Sequence, residues 1–318
     1  MPRSQAMILA GCTKRRSKTE RGEVIMDEYI VPESMKKLWA VELDLLNKFK
    51  EICAKYGVRY YATGGTLLGA ARHKGFIPWD DDIDLLLHWE DRDKFLEVAP
   101  KELEYPYFLQ THLSEKNGEL SNFRLRRSDT TGCTKWEFEN VSDPKYNKGI
   151  FIDLFPMYYV PVDPEAKARQ KELILEAWKA FRGYTALEGK ANGLRNVNPE
   201  YEKYIDVYKR YHEKYTIQQI KELYFERCAM QVEPTDLVGA TAFRVHDPKN
   251  VWKTEWFDET VELPFEQTTV SAAREYEKML TCLYGEWRIP VYNSQYHEMY
   301  IYDAEVPFAE NPKLKMSW

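Results

Sequence analysis

The stretch YYATGGTLLGAARHKGFIPWDDDIDLLLH, Tyr60 to His88, decides the reading of this chain. Val58–Thr63 has the β-branched and aromatic character of a strand. The pair Gly64–Gly65 breaks it, TLLGAAR can start a short helix, and a loop leads to aspartates at 80, 81, 82 and 84. Acidic runs are ordinarily solvated, yet three leucines follow this one at once. The segment Asp82–Leu87 therefore reads as a half-buried strand. Alternate residues of a strand share a face, so Asp82, Asp84 and Leu86 point one way and Asp81, Ile83 and Leu85 the other. Asp80 and Asp81 are assigned to the loop and its turn. Two neighbouring carboxylates that are half-buried repel each other and cost roughly several kcal/mol without a counter-charge. A divalent cation relieves both problems, and magnesium suits oxygen ligands while leaving places for phosphate. A calcium loop does not fit, because Leu85 stands where its glycine is needed and Asp91 replaces its bidentate glutamate.

Outward from this stretch, Leu38, Val41, Leu45, Phe49 and Ile52 recur at helical spacing, which predicts an amphipathic helix over Ser34–Tyr56 stopped by Gly57. Glu90–Val98 is expected to be helical and to end before Pro100. Strands are expected near Tyr107, near Phe123 and from Gly149, and again in LVGATAF and ETVELPF. Asp163 to about Val232 is polar and helix-rich and reads as an insertion or subdomain. A last helix is expected over Val270–Tyr284. Strands mixed with helices without regular alternation give an α+β class. Asp153 lies in an apolar strand, sharing a face with Phe151 and Phe155, so its carboxylate is costly unless used. It is a third candidate, as ligand or base. Gly64 and Gly65, opening a helix directly after a strand, would let backbone amides approach a phosphate. Arg72, His73 and Lys74 stand between that helix and the acidic strand, and Arg124 and Arg126 share one strand face. These bases are candidates to meet phosphate charge.

Composition bounds the rest. A chain of 318 residues, 44% hydrophobic, can bury a substantial core as one large domain or two small ones. A net charge of -6 argues against bulk nucleic-acid binding. Five dispersed cysteines without a CxxC pair read as reduced thiols. No apolar run reaches the ~18–20 residues of a membrane span. Residues 1–25 hold six basic and two acidic side chains. They are expected to be a basic tail, disordered or read from a start placed before Met26. LAGC at Leu9–Cys12 is similar to a lipoprotein cleavage box, but the apolar AMIL before it is too short for a signal segment.

The wording goes beyond the pattern. GGTLLGAARHKGFIPWDDDIDL closely resembles the signature of the LicD family, GIFIDLFP at Gly149–Pro156 its second block, and LPFEQTTV…YEKMLTCLYGEWRIP over Leu263–Pro290 its C-terminal block. The resemblance runs from about Ser34 to His297 and makes 26–318 one catalytic domain, with residues 1–25 outside it. It implies a polymerase-β-type nucleotidyltransferase fold with a mixed-sheet core. It also implies transfer of a phosphocholine-type group from a CDP-activated donor, such as CDP-choline, to a sugar hydroxyl of a lipopolysaccharide- or teichoic-acid-type glycan. By resemblance, Asp82 and Asp84 hold one or two Mg2+ ions, Asp153 joins them, and Gly64, Gly65 and Thr66 lie near the phosphates. Arg72, Lys74, Arg124 and Arg126 are the basic candidates, although FRLRRSDTT departs from the family's wording there. The helix-rich segment carries no family signature. Trp287 and His297 fall in the last block and are expected to pack or lie at the surface. An aromatic box would suit a choline ammonium, but 9 Trp and 22 Tyr do not single out its members. The partners expected are the nucleotide donor and a glycan or lipid-linked acceptor, in the cytoplasm or at the inner membrane face. The alternative is a nucleotidyltransferase that adds NMP from an NTP to a small hydroxylated acceptor. A glycosyltransferase shares DxD but does not need the glycine pair.

Overall fold

The computed structural model describes residues 29–115, 120, 122–240, 247–290 and 298–315, together with the backbone of two short strands, β1 (Arg16–Lys18) and β2 (Val24–Met26), that pair antiparallel. The expected tail, apart from the backbone of those strands, and His297 lie outside the described residues.

Helix α1 (Glu33–Tyr56) follows the apolar spacing and ends where Gly57 turns left-handed, φ 62, its N–H returning to the Cys53 carbonyl. Strand β3 (Tyr60–Ala62), α2 (Gly64–His73) and β4 (Asp84–Leu87) follow. Helix α3 (Arg92–Glu102) runs through Pro100 rather than stopping before it. The proline lies in the last turn, where only its own N–H is forfeited, and Leu103 N still bonds the Ala99 carbonyl at 3.1 Å. Strands β5 (Tyr107–Gln110), β6 (Phe123–Arg127) and β7 (Thr131–Thr134) lead to α4 (Lys135–Asn140), capped reciprocally by Thr134 and Glu137. The ten-residue β8 (Ile150–Tyr159) is buried along nearly its whole length.

This long strand organises the sheet. It pairs in parallel with β4, which pairs antiparallel with β3. It also pairs antiparallel with β6, which carries β5, and with β9 (Leu237–Ala240), which carries β10 (Val251–Lys253). One parallel and several antiparallel ladders make a mixed sheet in an α+β fold, as expected. Helix α1 packs against β8 and β6. The segment after β8 holds α5 (Pro164–Glu188), α6 (Ile205–His212) and α7 (Ile217–Cys228), with α6 and α7 packed on α5. Beyond the sheet come the hairpin β11 (Thr260–Phe265) and β12 (Thr268–Ala273), then α8 (Tyr276–Tyr284), β13 (Met299–Asp303) on β7, and α9 (Pro312–Lys315). The helix expected over Val270–Tyr284 is therefore a strand followed by a shorter helix. Glu266, at φ 52, turns the chain so that Val270 pairs with Leu263, and that pairing overrides the apolar spacing. Among the described residues, Cys53, Cys133, Cys228 and Cys282 are free thiols, and no helix is long and apolar enough to cross a membrane.

Two buried histidines give the fold an acid limit. His88 stacks on Trp89 at 3.8 Å, and His112 packs on Phe225 at 4.3 Å. Burial, aided by Arg59 at one and Lys221 at the other, pushes each imidazole down to about 4. A base whose folded value is depressed lends stability above its ordinary value near 6.5 and loses it as pH falls towards 4. Each contributes at most roughly 3 kcal/mol. Denaturant unfolding should show stability falling between pH 7 and 4.5, and His112→Phe should flatten that decline. An unchanged pH slope in the variant would remove His112 from the explanation.

Candidate active site

The sheet register brings the acids together. Asp84 stands opposite Asp153 across the β4–β8 ladder, and Arg124 stands opposite Asp153 on the β6 side. Paired residues share a face, so the three side chains meet: Arg124 Nε donates to Asp153 Oδ1 at 2.8 Å, and Asn122 donates to the same oxygen. Arg124 also binds Glu137 at 3.1 Å and Glu298 at 3.0 Å, with its guanidinium 3.9 Å from the Phe151 ring centre.

Regular pairing begins at Asp84, two residues later than the sequence suggests, although the Ile83 carbonyl already accepts the Asp153 N–H at 2.8 Å. Asp81 is held by another part of the chain. This buried carboxylate accepts from the backbone N–H groups of Glu298 and Met299, at 2.9 and 3.0 Å, and so pins the start of β13 to the acidic loop. Oxygens of Asp80, Asp81 and Asp82 all lie within 4.8 Å of one another, a spacing that could hold a metal ion. Burial, reinforced by Asp84 and Asp80, pushes Asp82 well above the usual carboxylate range. Burial, then Asp153 and Asp80, does the same to Asp84. Burial also raises Asp153, against the pull of Arg124. Tyr284, at the end of α8, is 46% exposed, yet the shielding of its hydroxyl end and the charges of Asp84, Asp80 and Asp82 raise its phenol.

The glycines serve the carboxylates directly. Gly64 takes φ +54, and a Cβ there would lie 2.6 Å from Asp84 Oδ2. A Cβ on Gly65 would collide with Asp80 Oδ2. The N-terminus of α2 thus sits against two acids, where its backbone dipoles oppose their charge. These glycines are expected to let backbone amides approach a phosphate, and in the structure they also make room for the side chains of Asp84 and Asp80. Thr66, on the first turn, accepts the Asp84 N–H at 2.7 Å and fixes where the strand begins.

The basic candidates separate. Arg124 belongs to the acidic group. Arg126 is fully buried, with Nε on Gln110 at 2.6 Å, Nη1 on the Gly149 carbonyl at 2.7 Å and Nη2 on Glu137. Its guanidinium is spent on protein and has no face left for a donor. Arg72 reaches away, to the Trp287 carbonyl at 2.8 Å, and holds the segment after α8. Lys74 is an exposed left-handed residue closing α2, its carbonyl taken by Glu266 N at 2.8 Å. Trp287 is buried.

Sequence reading missed Glu42 on α1, Asp80, Asp81 and Glu298. Glu42 is fully buried, and desolvation followed by the charges of Asp81, Asp80, Asp84 and Asp153 raises it well above the usual range. Its signal was present, because it stands on the same helical stripe as Leu38 and Leu45.

Residues 57–171 match the family described as LicD/FKTN/FKRP, nucleotidyltransferase domain, a span that contains the glycine pair, the acidic strand, Arg124 and Asp153. This part of the chain is a LicD-family domain. Over 140 residues the chain is 35% identical to lipopolysaccharide cholinephosphotransferase LicD of Haemophilus influenzae, covering 41% of this chain and 49% of that protein. Over 102 residues it is 33% identical to ribitol 5-phosphate transferase FKRP of Mus musculus, covering 32% of this chain and 17% of that protein. The human FKRP is 63% identical over 35 residues, 11% of this chain and 7% of that protein. The chain thus spans about half or less of the length of these relatives.

Proposed function

We propose that the protein transfers a phosphocholine-type group from a CDP-activated donor to a sugar hydroxyl of a cell-surface glycan and releases CMP. The observation that carries this reading is Asp84 placed in register with Asp153, beside the Asp80–Asp82 loop at the N-terminus of α2, within a span that matches LicD. The polymerase-β-type nucleotidyltransferase fold is part of the same proposal, supported by the family's description.

The donor set is carboxylate oxygen throughout, and its members raise one another's proton affinity, which fits a hard divalent cation such as Mg2+. Asp82 and Asp84 would hold it, with Asp153 beside them. A bound Mg2+ would neutralise charge on the donor diphosphate and on the phosphoryl group in transit. The residues of the chain supply position and proton handling. Asn122 and Arg124 both bind Asp153 through Oδ1, so Oδ2 is the oxygen offered to an ion or to the acceptor. The acceptor oxygen forms a bond to the phosphorus that carries choline, the bond from that phosphorus to the CMP oxygen breaks, and CMP leaves with the electron pair. The proton of the acceptor hydroxyl passes to Asp153. Thr66 and the two glycines hold Asp84 and the acidic loop in place for this. The enzyme would act in the cytoplasm, at the inner membrane face where a lipid-linked acceptor is within reach.

The test is CMP release from CDP-choline with Mg2+ and a candidate glycan, beside arms with CDP-ribitol and with NTPs. CMP with phosphocholine on the glycan is the expected result. CMP from CDP-ribitol alone would change the transferred alcohol. Pyrophosphate from an NTP would replace the reading with nucleotidyl transfer.

A further inference from the structure

Helix α1 carries an acid that the transfer chemistry does not use. Leu38, Glu42, Leu45, Phe49 and Ile52 follow at alternating steps of four and three, so Glu42 stands on the stripe that faces the core. Leu38, Leu45 and Phe49 are fully buried there, and Glu42 is equally buried, at 0% exposure. Among the described residues, neither Glu42 oxygen has a hydrogen-bond partner. A leucine or methionine would fill the place without stripping water from a carboxyl group, so packing gives no reason for an acid. Trp39, three residues earlier on α1, donates its Nε1–H to the Asp80 carbonyl at 2.9 Å, so this helix lies against the acidic loop, and the charges around Glu42 are of its own sign, Asp81 first, then Asp80, Asp84 and Asp153. Asp80, Asp81 and Asp82 already bring oxygens within 4.8 Å of one another. Arg124, the guanidinium in this group, is engaged by Asp153, Glu137 and Glu298. Acids that converge in this way from a helix and a loop are reconciled by a positive ion between them.

We propose that Glu42 is a ligand of a divalent cation bound between α1 and the Asp80–Asp82 loop, its buried carboxylate closing the side of the site that solvent does not reach. The inference rests on the metal reading of the acidic cluster given above, and it adds to that cluster one ligand from a helix fixed in the core. Ion binding then ties α1 to the acidic loop, and the ion stabilises the fold as well as serving the chemistry.

The probe is Mn2+ alone, titrated into the full chain and followed by the electron paramagnetic resonance of the free ion, with thermal melts in parallel. Glu42→Gln keeps the shape of the side chain and Glu42→Met its approximate volume, and both are compared with the wild type and with Asp82→Asn. Both Glu42 variants should bind Mn2+ at least tenfold more weakly and lose most of the ion-induced rise in Tm. Their ion-free Tm should equal or exceed that of the wild type, because a buried acid without a partner has gone. Wild-type Mn2+ affinity in either Glu42 variant overturns the inference. If Asp82→Asn loses Mn2+ in that same experiment, the metal reading itself still stands. A wild type that binds no Mn2+ removes both readings, and an ion-free Tm far below the wild type in both Glu42 variants assigns Glu42 to packing instead.

Discussion

Asp84→Asn should lower the rate of the proposed phosphocholine transfer by roughly 10³-fold or more while making the ion-free protein more stable. The loss follows from place: Asp84 sits in register with Asp153, and one misplaced charge-stabilising group at a transferring phosphoryl centre costs at least that order. The gain follows from charge. Burial, Asp153 and Asp80 raise the Asp84 carboxyl well above its ordinary value. An acid raised in the folded state lends its stability below the unfolded value and loses it as pH climbs through the folded one. At pH 7–8 the wild type therefore carries the penalty of a crowded acid, and the asparagine variant does not. The difference should be on the order of 1 kcal/mol. Mg2+ should reverse the order, since the wild type gains binding energy that the variant lacks. Turnover and melting curves with and without Mg2+ check both halves. Full activity in Asp84→Asn would sink the assignment of the acidic strand.

A strand, a glycine pair and an alternation of faces within residues 60–88 point to Asp84, whereas its register with Asp153 comes from a strand far along the chain. Local patterns set α1, β3, α2 and β8, because apolar spacing there coincides with burial. Asp153 was legible for the same reason, as a carboxylate in an otherwise apolar strand. Where long-range pairing decides, the pattern misled. Val270 fits a helix by local spacing because nothing local shows that Glu266 turns the chain back onto Leu263. Glu42 escapes notice in the sequence because Val41, its neighbour, meets the helical spacing from Leu38 to Leu45 equally well, and only the fold shows Val41 half-buried and Glu42 fully buried. Asp81 was assigned to a turn, and its true partners, the N–H groups of Glu298 and Met299, come from more than two hundred residues away. Thr66 and the glycines were placed near the phosphates by resemblance. The geometry adds a nearer duty, which is to admit and pin the carboxylates.

Arg124 and Arg126 are the sharpest instance of what a shared face leaves undecided. Both stand over Phe151, at 3.9 and 4.6 Å from its ring centre, yet only Arg124 reaches Asp153. Arg126 is closed in by Gln110, the Gly132 and Gly149 carbonyls and Glu137, which arrive from different parts of the chain. Glu137 is itself 1% exposed. Burial, the largest influence on it, would raise its carboxyl, but Arg126 and Arg124 hold it below its ordinary value. Removing Arg126 leaves that charge short of its main partner, a loss of about 3–5 kcal/mol. Arg126→Met should accordingly lower Tm by on the order of 10 °C. Adding Glu137→Met should restore part of the loss, because an apolar pair replaces an ionic one at little cost, while Thr134 forfeits its reciprocal cap. Measured at low temperature, where Arg126→Met is still folded, the KM for the nucleotide donor should match the wild type. A raised donor KM with unchanged Tm would return Arg126 to the phosphates, and its buried bonds would then have to open when the donor binds.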